Sequence, residues 1–299
     1  MKRPLKRLAA LSAVTLAMLA IPALPVSAEA KTAVPASAST AIDPNACGLT
    51  RIPRLDGGYW NCTFADDFNG RGLDTSKWVA QKTSNSGYQS GPECFVDSGK
   101  NVSASGGVLN LTVRKEAKPF VCASPFGNYT TQYTSGMVST WGKFAQAYGR
   151  FEIRAKFPAA KVAGLQSALW LWPQESKYGG WPNSGEIDIA EFYSLYPDRA
   201  IPYIHYVADT LAPTVTNTNC MITNVSSFHT YVAEWTPTSI TIKYDGATCL
   251  VHPLQNSAPF DQPFIIALTQ ALGIGENAFN PATTPLPATT QVDYVRAWS

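Results

Sequence analysis

Apolar and polar residues alternate with a period of two along several stretches of this chain. In Val108 to Arg114, the apolar Leu109, Leu111 and Val113 alternate with Asn110, Thr112 and Arg114. In Phe151 to Phe157, the apolar Phe151, Ile153, Ala155 and Phe157 alternate with Glu152, Arg154 and Lys156. Tyr231 to Trp235 and Ile240 to Tyr244 repeat the pattern. Successive side chains of a strand point to opposite faces, so each stretch predicts a strand with one face on a core. No segment beyond the N-terminal leader keeps a long period of 3.6, and Gly and Pro punctuate the gaps. Many short strands without helices between them predict an all-β fold, a two-sheet antiparallel β-sandwich or jelly roll.

The N-terminus departs from this pattern. Lys2, Arg3, Lys6 and Arg7 precede an apolar run from Leu8 to Ile21, and Val26-Ser27-Ala28 offers small residues for cleavage. This is the layout of a secretory signal peptide over residues 1–28. The apolar run is short for a bilayer span and is followed by Pro22 and Pro25, so export without a membrane anchor is the expectation. Residues 29–45 are rich in Ala, Ser, Thr and Pro and predict a linker with little surface to bury. One folded domain is expected over residues 46–299, with no internal repeat; a monomer is the default.

Removing the leader changes the charge balance. Four of the 23 Lys and Arg residues and none of the 21 acids lie in residues 1–28, which leaves 19 bases against 21 acids. The remainder is slightly acidic, and no electrostatic case for nucleic acid survives. The six cysteines, Cys47, Cys62, Cys94, Cys122, Cys220 and Cys249, all follow the leader. An even count in an exported chain predicts disulfides, and no CxxC or tight Cys/His cluster points to zinc. Pairing of sequence neighbours (47–62, 94–122, 220–249) is the expectation among the many arrangements six cysteines permit.

The segment Ser184-Gly185-Glu186-Ile187-Asp188-Ile189-Ala190-Glu191-Phe192 carries the candidate chemistry. On a regular strand Glu186 and Asp188 share one face, with Ile187 and Ile189 on the core face. The odd offset would turn Glu191 to the wrong face. One β-bulge around Ile189-Ala190 absorbs a residue and returns Glu191 to the side of the other acids. Glu186 and Glu191 then lie roughly 13 Å apart at Cα. Side chains leaning together would bring the carboxyl groups to about 5 to 6 Å, close to the spacing of a retaining glycosidase. Acids this close repel one another, so at least one should hold its proton above the ordinary carboxylate range. That suits one ionised nucleophile and one protonated acid. An acidic face on an exposed edge strand would look similar. The neighbourhood argues for the sugar site: in Ala168-Leu169-Trp170-Leu171-Trp172 both indoles share one face, and Trp60, Trp181, Tyr178 and Tyr193 add aromatic surface nearby in sequence. Aromatic faces stack on the apolar faces of sugar rings.

These residues bring the chain close to a known family. It resembles glycoside hydrolase family 16, in particular its laminarinase-like branch, over nearly all of residues 63–299. The resemblance runs in order through Thr63-Phe64-Ala65-Asp66-Asp67-Phe68, Leu73-Asp74-Thr75-Ser76-Lys77-Trp78, Tyr148-Gly149-Arg150-Phe151-Glu152-Ile153-Arg154-Ala155-Lys156, Ala168-Leu169-Trp170-Leu171-Trp172-Pro173 and Gly185-Glu186-Ile187-Asp188-Ile189-Ala190-Glu191. It continues in Phe228-His229-Thr230-Tyr231, Glu234-Trp235 and Val292-Asp293-Tyr294-Val295-Arg296-Ala297-Trp298. The resemblance implies a jelly roll with a sugar cleft on a concave sheet, retention of configuration, Glu186 as nucleophile, Glu191 as acid/base and Asp188 as assisting acid. It further implies sugar contacts at Trp170, Trp181 and Arg150, beside Trp172 from the indole pair, and a histidine near the catalytic strand at His205. Catalysis would need no cofactor, and Asp293 lies where many members hold a structural calcium ion. The run Ile265 to Gly275, with Thr269 where an asparagine is common, and the loop Ser84 to Pro92 depart from the family pattern, which leaves the substrate open.

The expected activity is endo-hydrolysis of a β-1,3-glucan. Mixed-linkage β-glucan and galactan are alternative substrates, and transglycosylation an alternative outcome. A non-catalytic lectin-like jelly roll is the rival from another class; it needs the aromatic face but not three converging acids. A serine hydrolase finds no support, since the chain has His205, His229 and His252 but no G-x-S-x-G.

Overall fold

The alternating segments do form strands, because each has one side that gains by leaving water. In the computed structural model, which describes residues 43, 45–49, 51–54, 57–207 and 214–299, Leu109, Leu111, Val113, Phe151, Ile153 and Ala155 are fully buried. Burying a Leu, Ile or Phe side chain contributes roughly 1.5–3 kcal/mol each. The strands are β1 (Cys62–Asp66), β2 (Val79–Ala80), β3 (Cys94–Phe95), β4 (Val102–Ser105), β5 (Val108–Cys122), β6 (Tyr129–Ser135), β7 (Met137–Ser139) and β8 (Gly149–Lys156). They continue as β9 (Leu165–Pro173), β10 (Glu186–Tyr193), β11 (Ile201–His205), β12 (His229–Thr236), β13 (Ser239–Tyr244), β14 (Ala247–Pro253), β15 (Phe264–Leu272) and β16 (Ala288–Trp298). Helical structure among the described residues amounts to α1 (Thr83–Ser86) and a 3-10 turn at Gly275–Asn277.

Two sheets result. A ten-stranded sheet runs β14-β13-β12-β8-β16-β5-β6-β3, with β1 beside β16 and β4 beside β5; a six-stranded sheet runs β11-β10-β9-β15-β7-β2. The main core fills the space between them. Phe151, Ile153, Tyr231, Ala233, Trp235, Ile240 and Ile242 of the larger sheet meet Leu169, Leu171, Ile187, Ile189, Phe192, Ile266 and Leu268 of the smaller. A second cluster, Ala168, Trp170, Ala267, Ala271, Met137 and Phe95, lies on the opposite face of the six-stranded sheet. This two-sided cover explains why all nine residues of β15 are buried and why it reads as a continuous apolar run instead of an alternation.

The described body belongs to a compact unit, Ala41–Ser299. The leader expected over 1–28 and the linker over 29–45 fall outside the described residues except at Asp43 and Asn45. No helix among the described residues is long and apolar enough to cross a membrane. The three expected disulfides are present as Cys47–Cys62, Cys94–Cys122 and Cys220–Cys249.

Candidate active site

The site is built on β10 and its neighbours. Gly185 introduces the strand with φ +80; a Cβ there would stand 2.9 Å from the Phe260 ring, so both the left-handed turn and the space require glycine. Against β9, Asp188 pairs with Trp170 and Ala190 with Leu169, so Ile189 is the extra residue of a β-bulge. Against β11, Glu186 pairs with His205 and Asp188 with Tyr203, and the next pair is Glu191 with Ile201. Adjacent Ile189 and Ala190 both enter the main core. Glu191 therefore returns to the face carrying Glu186 and Asp188. The bulge lies where the odd acid spacing placed it.

Each acid has its own surroundings. Trp181, 58% exposed, donates its indole N–H to Glu186 Oε2 at 2.6 Å. Asp188, 3% exposed, lies 3.3 Å from His205 Nε2, and the His205 ring stacks on Tyr203 with centroids 3.8 Å apart. Glu191 Oε1 accepts from the Tyr193 hydroxyl at 2.7 Å and from the Gln166 amide at 3.0 Å. Burial pushes all three carboxyls above their ordinary range. Repulsion from Asp188 adds to the rise at Glu186, and repulsion from Glu191 to that at Asp188. The Trp181, Tyr193 and Gln166 donors act the other way, because they bond to the ionised form. The acids stand close enough that the charge on one raises the next, so they titrate as a coupled set.

A stability consequence follows from the sign of these shifts. A carboxyl whose folded pKa is raised favours the native state while protonated. That contribution is lost as pH climbs from the ordinary carboxylate value through the raised one. Asp188→Asn, which cannot ionise, should therefore unfold at a higher temperature than the parent at pH 7. The expected gain is a few degrees, since about 1 kcal/mol moves Tm by roughly 2–4 °C in a domain of about 150–250 residues. Thermal unfolding at pH 7 and pH 4 checks this: the difference should shrink at pH 4, and an equal difference at both would contradict it.

The remaining sequence-predicted residues divide. Trp172 is half-buried beside Trp170 on this face, with the rings edge-on at 5.8 Å. Trp170 is only 6% exposed, because Tyr88 leans over it at 5.9 Å and its own N–H is held by Thr269 at 3.0 Å. It supports the floor beneath Tyr88 and Trp172. Arg150 does not reach the site. The alternation that buries Phe151 turns Arg150 to the outer face of the ten-stranded sheet, where it binds Glu152 and Glu234 at 2.5 Å each. Asp293 is on that sheet too, paired with Arg154. Among the described residues no group of three or more His, Cys, Asp and Glu side chains could hold a metal ion. Trp60 packs near Cys47 and Cys62, away from the acids, and the Tyr178 hydroxyl binds Asp261.

The loop Ser84 to Pro92, which the sequence marks only as a departure from the family pattern, supplies a residue to the site that sequence reasoning gave no role. It carries Tyr88, whose phenol is raised by burial and then by the charges of Glu186, Glu93, Glu191 and Asp188. The loop is anchored by Glu93, which is fully buried and accepts the backbone N–H groups of Gly91 at 3.1 Å and Leu272 at 3.2 Å. Nothing periodic marks a loop residue in the sequence. Gln166, by contrast, was within reach, since it extends the period-two row of Ala168, Trp170 and Trp172.

Paired carboxylates on a sheet face lined by indoles, each furnished with its own donors, form the machinery of a glycoside hydrolase. The wider comparison agrees. The sequence profile of glycosyl hydrolases family 16 matches residues 92–294, and the chain belongs to that family. It is 31% identical over 271 residues to a β-glucanase of Rhodothermus marinus, covering 84% of this chain and 90% of the relative. It is 30% identical over 261 residues to glucan endo-1,3-β-glucosidase A1 of Niallia circulans, covering 80% of this chain but only 38% of that longer protein. The crystal structure of an endo-β-1,3-glucanase from Pyrococcus furiosus superposes with a TM-score of 0.70 at 27% identity, covering 84% of this chain and 98% of the other.

Proposed function

We propose that this protein acts outside the cell as a retaining endo-β-1,3-glucanase, with Glu186 as nucleophile and Glu191 as acid/base. The observation that carries the reading is the bulge at Ile189, which gathers Glu186, Asp188 and Glu191 on one sheet face. The substrate follows the relatives named for endo-1,3-β-glucan cleavage. In the first step a Glu186 oxygen bonds to the anomeric carbon while Glu191 gives its proton to the departing glycosidic oxygen. In the second, Glu191 takes a proton from water, whose oxygen displaces Glu186. The Trp181 N–H favours the ionised, attacking form of Glu186 against the burial that raises its carboxyl, and the buried Asp188 stands on the same face beside both glutamates.

Reducing-sugar release by the residue 29–299 protein on laminarin, mixed-linkage β-glucan, agarose and xyloglucan tests the reading. Laminarin should be cleaved fastest, with internal cuts yielding oligosaccharides. Preference for another polymer would overturn the substrate. Binding to a polymer without release from any would favour the lectin-like alternative.

A further inference from the structure

The two donors on Glu191 reach the same oxygen. Tyr193 Oη and Gln166 Nε2 stand 2.7 and 3.0 Å from Oε1. With the Gln166 N–H, which can only donate, and the Tyr193 O–H both directed at Oε1, its two lone pairs are engaged, which favours a proton on the other oxygen. The Gln166 amide is oriented in turn. Ser90 Oγ donates to Gln166 Oε1 at 2.9 Å, which leaves Nε2 facing the acid, and the Ser90 backbone N–H is held by the buried Glu93.

We propose that Tyr193 and Gln166 are positioning residues that confine the exchangeable proton of Glu191 to Oε2, and that Ser90, from the loop before β3, sets the Gln166 amide. This rests on Glu191 being the acid/base. In glycosylation the Oε2–H bond breaks and the proton passes to the glycosidic oxygen. The bond from that oxygen to the anomeric carbon breaks as the Glu186 bond forms. In the second step a water O–H bond breaks, its proton returns to Oε2, and the water oxygen bonds to the anomeric carbon as Glu186 departs. Both transfers use the same oxygen, so the carboxyl need not rotate between them.

The charged and titratable groups around Glu191 are Glu186 and Asp188 on β10, His205 on β11, Tyr88 on the loop and Tyr244 on β13. Tyr193→Phe and Gln166→Ala leave all of these in place. Each removes one bond that favours the ionised acid, so the alkaline limb of the kcat/KM profile should move to higher pH. Loss of orientation should lower kcat/KM on laminarin about tenfold, part of the ~10²–10⁴-fold that a positioned acid supplies. An activated substrate, 2,4-dinitrophenyl β-laminaribioside, departs without a proton and should change by no more than about twofold. Ser90→Ala should act in the same direction but less, and it carries the test if Tyr193→Phe fails to fold.

Glu191→Gln is the control. It should lose laminarin cleavage while still releasing dinitrophenol in the first turnover. If it loses neither activity selectively, the acid/base assignment fails. If Glu191→Gln behaves as expected but the three positioning variants show neither a moved alkaline limb nor leaving-group selectivity, the assignment stands and the positioning proposal is overturned.

Discussion

Glu186→Gln should lower turnover of laminarin on the order of 10⁴- to 10⁶-fold, the scale on which covalent catalysis fails when its nucleophile is removed. The amide nitrogen is no nucleophile, yet the side chain has almost the same shape and its oxygen can still accept the Trp181 N–H. Fold and oligosaccharide binding should therefore survive, as calorimetry with laminari-oligosaccharides would show. Stability at neutral pH should rise, because burial no longer opposes an ionised group at this position. The stereochemistry of rescue separates the two glutamates. In Glu186→Gly, azide entering the vacated space attacks the anomeric carbon directly and gives a glycosyl azide of inverted configuration. In Glu191→Ala, Glu186 still forms the covalent intermediate, and azide gives the retained product. NMR of the products reads the configuration. Retained azide from Glu186→Gly, or residual activity above about 1% in Glu186→Gln, would remove Glu186 from its role.

Reduction of the disulfides should have the largest effect on stability. Their sequence separations are 15, 28 and 29 residues. By the loop-entropy relation each constrains the unfolded chain by about 3–4 kcal/mol. Losing all three should lower the melting temperature by well over 10 °C, given roughly 2–4 °C per kcal/mol in a domain of this size. The Cys94–Cys122 bridge should matter beyond its loop length. Cys94 follows Glu93, which holds the loop bearing Tyr88 and Ser90 against the end of β15. Replacing Cys94 and Cys122 with Ser should therefore also weaken laminarin cleavage. The Cys220 and Cys249 pair, which joins the segment after β11 to β14, should affect the melting temperature alone. Equal kinetics in both double variants would show that the loop keeps its place without the bridge.

How much of this could be read beforehand depended on periodicity. Leu109, Leu111 and Val113 announce their inward face because a strand turns each side chain by half a turn. The same rule, pushed through an odd spacing, located the bulge between Glu186 and Glu191. β15 was harder: with both faces covered, Phe264 to Leu272 shows no alternation, and its central place comes only from pairing with β9 and β7. Arg150 shows the limit of carrying a residue over by motif. The chain around it matches the family, but Phe151 and Ile153 decide which way it points, and they send it to the far sheet. Trp170 fails differently. It is on the expected face, but Tyr88 covers it, and Tyr88 arrives from a loop whose path depends on buried Glu93 and on glycine at position 91. A Cβ at Gly91 would lie 2.6 Å from the Leu272 carbonyl oxygen. Such close approaches are three-dimensional and leave no trace in a linear pattern.

The strand order also governs when this enzyme can come into being. β15, the second-last strand in sequence, lies between β9 and β7, and β16, the last, lies between β8 and β5. Neither sheet is continuous until its late strand is supplied, so a chain emerging from a ribosome or an export channel cannot settle before nearly all of it is free. Until then the uncharged segment Phe264 to Leu272 has no partners and is a ready template for pairing between chains. A nascent molecule is thus held back from premature folding, at the risk of aggregation if release of the last segment stalls.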